Sequence, residues 1–288
     1  MSSNRALLLE ARAKLAATSE TPQLDAEVLL AHVLGVERVQ IIADAARTAS
    51  MDEVAQYLRL IDRRSNSEPV AYLTGEREFY GRKFSVSPSV LIPRPDTELL
   101  VDLAVQYLET IAAPRILELA TGSGCIAISV ALELHDREVQ SDILASDISP
   151  DALRVAERNA AKLGASSLVR FLESDWFKTI SKSRFDCILI NPPYVERDAT
   201  LATDLSFEPA GALFADDNGL SELRLLIQES PDWLLPGGKL FLECGAGQWD
   251  VLKADSELFL PYRSRAHKDL QGYDRVIECE LLHPNHRS

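Results

Sequence analysis

The chain has 288 residues, of which 46% are apolar and 26% charged, values typical of a globular protein with a sizeable core. Its 44 acidic and 30 basic side chains leave a formal net charge of −14, which speaks against affinity drawn from duplex phosphates. No apolar run reaches the roughly 20 residues that span a bilayer. There is no basic-then-apolar leader, and Cys125, Cys187, Cys244 and Cys279 form no C-x-x-C pair, so a soluble protein in a reducing, cytoplasmic setting is expected.

Residues 1–67 read as a small helical domain. Ala6–Ala17 is an Ala/Leu-rich run. Thr21-Pro22 supplies an N-cap and a first-turn proline, and Gly35 closes that second helix. Ser50 and Glu53 have capping-box spacing, ahead of a helix carrying Val54, Leu58 and Ile61 on one face. Residues 68–92 change character: aromatic residues, glycine and alternation predict a β-hairpin linker.

From residue 93 to 288 strands and helices alternate. Strands are expected at Ile116–Leu119, Ile143–Ser146, Val169–Leu172, Cys187–Ile190, Lys239–Glu243 and Val276–Leu281. Helical segments lie near Asp96–Leu108, Ile126–Leu134, Pro150–Leu163 and Leu220–Glu229, with Ser149 and Gly164 as the caps of the third. Such alternation predicts an α/β domain, a mostly parallel sheet with helices on both faces. His283 and His286 fall in the polar tail without a thiol or carboxylate cluster, so no metal site is expected. Trp233 and Trp249 read as packing residues.

Two stretches carry chemistry. Thr121-Gly122-Ser123-Gly124 joins an apolar strand to a helix, where glycines let the backbone approach a ligand and a helix N-terminus offers free N–H groups. A strand then ends in Asp147, at the distance expected for a carboxylate that grips ribose hydroxyls. Both a nicotinamide dinucleotide and S-adenosylmethionine fit that pattern. The second stretch, Asn191-Pro192-Pro193-Tyr194, separates them.

A planar –NH2 group is a poor nucleophile, because its lone pair is delocalised; its two N–H bonds are the handle. Asn191 Oδ1 and the Pro192 carbonyl are suited to accept those hydrogens. Pro192 and Pro193 stiffen the turn, and Tyr194 is expected to pack over the planar group. Methyl transfer to such a nitrogen is the expected chemistry.

“NPPY” after an apolar strand resembles the motif of amino-methyltransferases acting on adenine, cytosine or glutamine amide nitrogen. The order “PVAYLTGEREFYGRKFSV”, “LIPRPDTELL”, “TGSGCIAI”, “SDISPDALRVAERNA”, “SDWF”, “INPPYV”, “FEPAGAL”, “PGGKLFLECG” and “GYDRV”, over roughly Glu68 to Val276, resembles the glutamine methyltransferases of peptide chain release factors. The resemblance implies a Rossmann-like catalytic domain over 93–288. The helices of 1–67 match in character only; their capped, amphipathic pattern and the contact area a protein substrate needs give them an expected substrate-recognition role. The resemblance also implies S-adenosylmethionine as donor and the glutamine of a Gly-Gly-Gln loop as acceptor. It places the cofactor loop on Ala120, Thr121, Gly122, Ser123 and Gly124, the ribose acid on Asp147, and the segment flanking adenine on Asp175 and Trp176. The catalytic and substrate-binding turn falls on Asn191, Pro192, Pro193 and Tyr194, with Asn191 also beside the cofactor. Arg94 and Thr97 are placed near the active site, while Glu208 and Pro209 read equally as the border of the substrate pocket or as a solvated loop. The family often has Asp-Leu-Gly where this chain has Glu118-Leu119-Ala120. A related glutamine methyltransferase of a large-subunit ribosomal protein shares most of these motifs. A nucleic-acid adenine methyltransferase shares the turn, but calls for a basic groove that a charge of −14 does not favour.

Overall fold

A computed structural model describes residues 3–44, 46–198 and 203–283; the tail around His286 lies outside the described residues. The chain divides into two compact units: Met1–Glu76 with Leu201–Phe207, and Arg77–Thr200 with Glu208–Ser288.

The first unit contains helices α1 (Asn4–Leu15), α2 (Pro22–Leu34), α3 (Arg38–Ala43), α4 (Met51–Ser65) and α5 (Val70–Thr74). Leu7, Leu15, Leu29, Leu30, Ile41, Tyr57 and Ile61 form its core. Ser50 closes a full capping box with Glu53. The buried face of α4 centres on Tyr57, Leu60, Ile61 and Arg64, one step round from the expected face, with Val54 and Leu58 only half-buried. The reason is that Tyr57 reaches the Ala26 carbonyl with its hydroxyl at 3.1 Å, and Arg64 meets the buried Asp25 at 2.7 Å. Thr21 does not cap α2 with its side chain. Its hydroxyl, with that of Ser19, donates instead to Asp25, satisfying an acid that would otherwise be costly to bury. Helix α5 lies within the stretch expected for the hairpin, because the alternation of “VAYLT” is also compatible with one helical turn.

The hairpin is shorter than residues 68–92, and all of it but Glu76 belongs to the second unit. Strands β1 (Glu76–Phe79) and β2 (Arg82–Ser85) turn at Tyr80 and Gly81, with φ of +51° and +69°, the pair of positive angles a two-residue hairpin requires. Phe79 and Phe84, fully buried, anchor it to a core face. The main sheet contains β3 (Arg115–Leu119), β4 (Asp142–Asp147), β5 (Val169–Glu173) and β6 (Phe185–Ile190). A small parallel pair, β7 (Val195–Glu196) and β8 (Phe214–Ala215), follows. Then come β9 (Leu234–Glu243), β10 (Tyr262–Lys268) and β11 (Asp274–Leu281), giving the order β10-β11-β9-β6-β3-β4-β5. Only β11 runs antiparallel to its two neighbours.

Alternation along the strands divides the core. Ile116, Cys187 and Leu189 face helices α6 (Glu98–Leu108) and α7 (Cys125–Asp136), while Leu117, Leu119, Ile188 and Ile190 face the helix Ser221–Glu229. Strand β10 was not expected. Its sequence “YRSRAHK” has no apolar run, because an edge strand needs only one buried neighbour and favours charge. Trp233 stacks on Phe177 at 5.0 Å and Trp249 meets Phe259 edge-on, both as packing residues.

Candidate active site

Four parallel strands end side by side in the order β6-β3-β4-β5, and the loops leaving them build a cleft of about 400 Å³. Ligands in open parallel sheets bind at such carboxyl edges. From β3 comes the turn Ala120–Gly124, which opens α7; from β4, Asp147; from β5, Asp175 and Trp176; from β6, Asn191 and Pro193. All line the cleft except Gly124. Arg94, Thr97 and Pro209 join the lining, as do Ile148, next to Asp147, and Phe214, which no sequence motif marked. Pro192 is buried, and neither it nor Tyr194 is part of the cleft wall. Glu208 stands behind that wall too: it accepts the Ile92 N–H at 3.0 Å and pairs with Arg94.

The glycine turn is held from several sides. Thr121 N–H donates to the Ser146 carbonyl at 2.9 Å and Gly124 N–H to the Thr121 carbonyl at 2.8 Å. Asn159, fully buried on α8 (Pro150–Leu163), donates to the carbonyls of Ser123 and Ser85 and accepts the Ser85 N–H. Ala120 has φ +56°, a left-handed conformation that costs an L-residue about 1–2 kcal/mol. That geometry accounts for the glycine the family often has there.

Asp147 accepts N–H bonds from Gly122 at 2.8 Å and Ser149 at 2.9 Å. Burial raises its pKa, and those N–H groups oppose the rise. Replacing Asp147 by alanine should weaken donor binding by roughly 1–3 kcal/mol, the scale of a charge-assisted hydrogen bond. Titration calorimetry giving unchanged affinity would remove Asp147 from the site.

Glu118 lies wholly buried beneath the turn. Its Oε2 accepts from Thr121 Oγ1 at 2.5 Å and from Ala127 N–H at 3.1 Å, while Oε1 is orphaned. Burial pushes its pKa up to about 8, the two hydrogen bonds opposing and Asp147 adding to the rise. An acid whose folded pKa lies above its unfolded value binds more protons in the folded state, so stability falls as pH climbs from the unfolded carboxyl range towards about 8. The ligand-free protein should therefore lose melting temperature between about pH 5 and about pH 8, and Glu118→Gln should flatten that slope. Equal slopes in the two proteins would show that the Glu118 carboxyl is not the group responsible.

Asn191 Nδ2 donates to Thr97 Oγ1 at 3.2 Å. Tyr194 differs from its expected placing: its hydroxyl donates to Glu243 Oε1 at 3.0 Å, directed into the protein. Gln248 Nε2 holds the Tyr194 carbonyl at 2.9 Å and the Gly219 carbonyl at 3.2 Å. Sequence reasoning gave Glu243, Gln248 and Asn159 no role of their own, although the quoted segments contain Glu243 and Asn159, since each acts on a partner remote in the chain.

Comparison with known proteins gives two family matches, the PrmC N-terminal domain over residues 6–75 and the methyltransferase small domain over residues 97–244. The chain is 44% identical over 261 residues to a release factor glutamine methyltransferase of Bordetella pertussis, covering 88% of this chain and 93% of that one. A protein of the same name from Burkholderia pseudomallei is 43% identical over 273 residues, covering 92% and 94%. A bifunctional methyltransferase of Rickettsia bellii is 36% identical over 296 residues, 92% of this chain, and this chain spans 52% of its length. Among solved structures, the hMettl16 catalytic domain in complex with an RNA hairpin has a TM-score of 0.54 at 15% identity, covering 82% of this chain and 84% of that one. A T. thermophilus 16S rRNA methyltransferase in complex with AdoMet and guanosine has a TM-score of 0.50 at 17% identity, covering 72% and 49%. At such identities these two structures establish the fold alone.

Proposed function

The chain belongs to the release factor glutamine methyltransferase family, and from that premise we propose that it methylates the side-chain amide nitrogen of a glutamine in a Gly-Gly-Gln loop of a peptide chain release factor, with S-adenosylmethionine as donor. The observation that carries the reading is one cleft lined both by Asp147, the acid assigned to the ribose, and by Asn191 and Pro193 of the turn assigned to the amide.

The donor fits the residues present. Asp147 keeps lone pairs for ribose hydroxyls, Gly122 and Ser123 bring backbone to the cleft, and Asp175 and Trp176 border a space for a flat base. Glu118, buried beneath the glycine turn with its pKa raised to about 8, is largely protonated at neutral pH in the ligand-free protein, and positive charge on a bound ligand favours its ionised form. S-adenosylmethionine, when bound, supplies a methyl group on positively charged sulfur. The chain's own work is orientation. Asn191 Oδ1 and the Pro192 carbonyl accept the two amide hydrogens, turn the nitrogen towards the methyl group and stabilise the charge that develops there. Transfer would exchange the methyl–sulfur bond for a methyl–nitrogen bond, the sulfur keeping the electron pair, and one amide hydrogen would leave as a proton to water. Arg94, fixed by Glu208, borders the cleft beside Thr97. The rigid prolines keep the acceptors still, and Tyr194 contributes by anchoring the turn to Glu243.

The helical domain, residues 1–67, is assigned to hold the body of the release factor, and residues 68–92, with their hairpin, to link it to the catalytic domain, residues 93–288. A glutamine side chain alone offers far less contact than the roughly 1,600 Å² of a standard protein interface. The test is methyl transfer from labelled donor to purified release factor, ribosomes, DNA and a short Gly-Gly-Gln peptide in parallel. Release factor should take the label, lose it when its glutamine is replaced, and outrun the peptide. Label entering ribosomal protein or DNA while release factor stays blank would overturn the assignment.

A further inference from the structure

The hairpin turn between β10 and β11 is locked from within and apolar at its tip. Asp269 Oδ1 accepts the N–H groups of Gln271 at 2.9 Å and Tyr273 at 3.0 Å, and the Asp269 N–H donates to the Tyr273 carbonyl at 2.9 Å. Arg275 donates to Asp269 Oδ2 at 3.1 Å through Nε and Nη2, and Lys268 pairs with Asp274 at 3.2 Å. The charges of the turn thus satisfy one another. What it shows to solvent is Leu270, wholly exposed, and Tyr273, half exposed. Arg275 also donates to the Cys244 carbonyl at 3.3 Å and meets Asp96 at 3.4 Å. Asp96 adjoins Thr97 of the cleft wall, so the turn and that wall are tied together.

A lone exposed leucine is ordinary; its place here is not. Val276 lies opposite Glu243, and Leu242 opposite Ile190, the residue before Asn191. The turn therefore projects from the same sheet edge as the cleft. It stands two to three strands from β6, about 10–15 Å at the usual strand spacing. A protein that delivers a glutamine to Asn191 covers about 800 Å² of this chain, a disc about 16 Å in radius. The turn falls within that footprint. Its fixed shape also spares an interface the cost of ordering a loop. We propose that the Leu270–Tyr273 turn is a second docking surface for release factor, on the catalytic domain itself, and takes an apolar patch close to the Gly-Gly-Gln loop. This rests on the methyl-transfer reading above, and it gives the “GYDRV” segment, residues 272–276, a role the reaction itself does not require.

The test uses the full chain with Leu270→Ser, with Leu270→Ser and Tyr273→Ser together, and with Gln271→Ser as a control on the same turn. Leu270→Ser should raise KM for whole release factor about 10-fold, the scale of one apolar side chain left unburied, and the double variant further. Saturated kcat, donor affinity and melting temperature should keep their wild-type values. So should kcat/KM for a short Gly-Gly-Gln peptide, which is too small to reach the turn. Gln271→Ser should change none of these. A double variant with wild-type KM for release factor overturns the docking surface, as does equal damage to whole protein and peptide. A wild-type dimer in sedimentation that the double variant splits would make the turn a contact between copies, and overturns it too. Wild type that labels no release factor defeats the functional reading and this proposal together. Wild type that labels it while the variants behave alike defeats the turn alone.

Discussion

Asn191→Ala should lower turnover by about 10²–10³ while donor affinity changes little, the usual cost of one oriented electrostatic contact. The amide nitrogen of glutamine is planar and weakly nucleophilic, so catalysis depends on holding both its hydrogens at once. Asn191 supplies one of the two proposed acceptors from the end of β6, half-buried and steadied by Thr97. Alanine removes that acceptor and leaves the Asp147 side of the cleft untouched. The loss should therefore appear in kcat and not in calorimetric affinity for S-adenosylmethionine. A variant that methylates within a few-fold of wild type would sink the role given to the turn.

Gly219→Ala is expected to be nearly as damaging, although Gly219 is absent from the cleft wall. It follows Asp217 and Asn218, and all three residues have positive φ, of +53°, +54° and +81°. This left-handed run brings Gly219 against the backbone of Tyr194. A Cβ there would lie 2.1 Å from the Tyr194 carbonyl oxygen, 2.9 Å from its carbon and 2.8 Å from Gln248 Nε2. Backbone cannot yield as a flexible side-chain tip does, so the turn carrying Asn191 must shift and the Gln248 clamp must open. Displacement near 1 Å is enough to cost about 10² in rate, and the strained φ adds about 1–2 kcal/mol of instability. Activity and melting temperature should fall together, while Asp147-dependent donor binding survives in the folded fraction. Unchanged activity in Gly219→Ala would mean that the turn tolerates the movement.

Much of the site was legible because its signals are local. Gly164 ends a helix with φ +78°, and Ser149 caps that helix through the Ala152 N–H. The apolar strands, the glycine turn and Asn191-Pro192-Pro193-Tyr194 depend on neighbours within a few residues, so periodicity and turn chemistry expose them. The same rules mislead where local preference is weak. They extend the hairpin over α5, and they overlook β10, whose pairing with β11 rather than its own polar sequence makes it a strand.

Local pattern thus sufficed for most of the alternating strands and helices of the second unit, for the glycine turn after β3 and for the Asn191-Pro192-Pro193-Tyr194 turn after β6. Tertiary structure alone decided how that turn is held. Thr97, Tyr194, Glu243 and Gln248 come from distant parts of the chain and meet only once the sheet is assembled. It also directed the Tyr194 hydroxyl to Glu243. A buried hydroxyl must find an acceptor, and the available one, Glu243, stands at the end of a strand whose place is set by the pairing of β9 with β6.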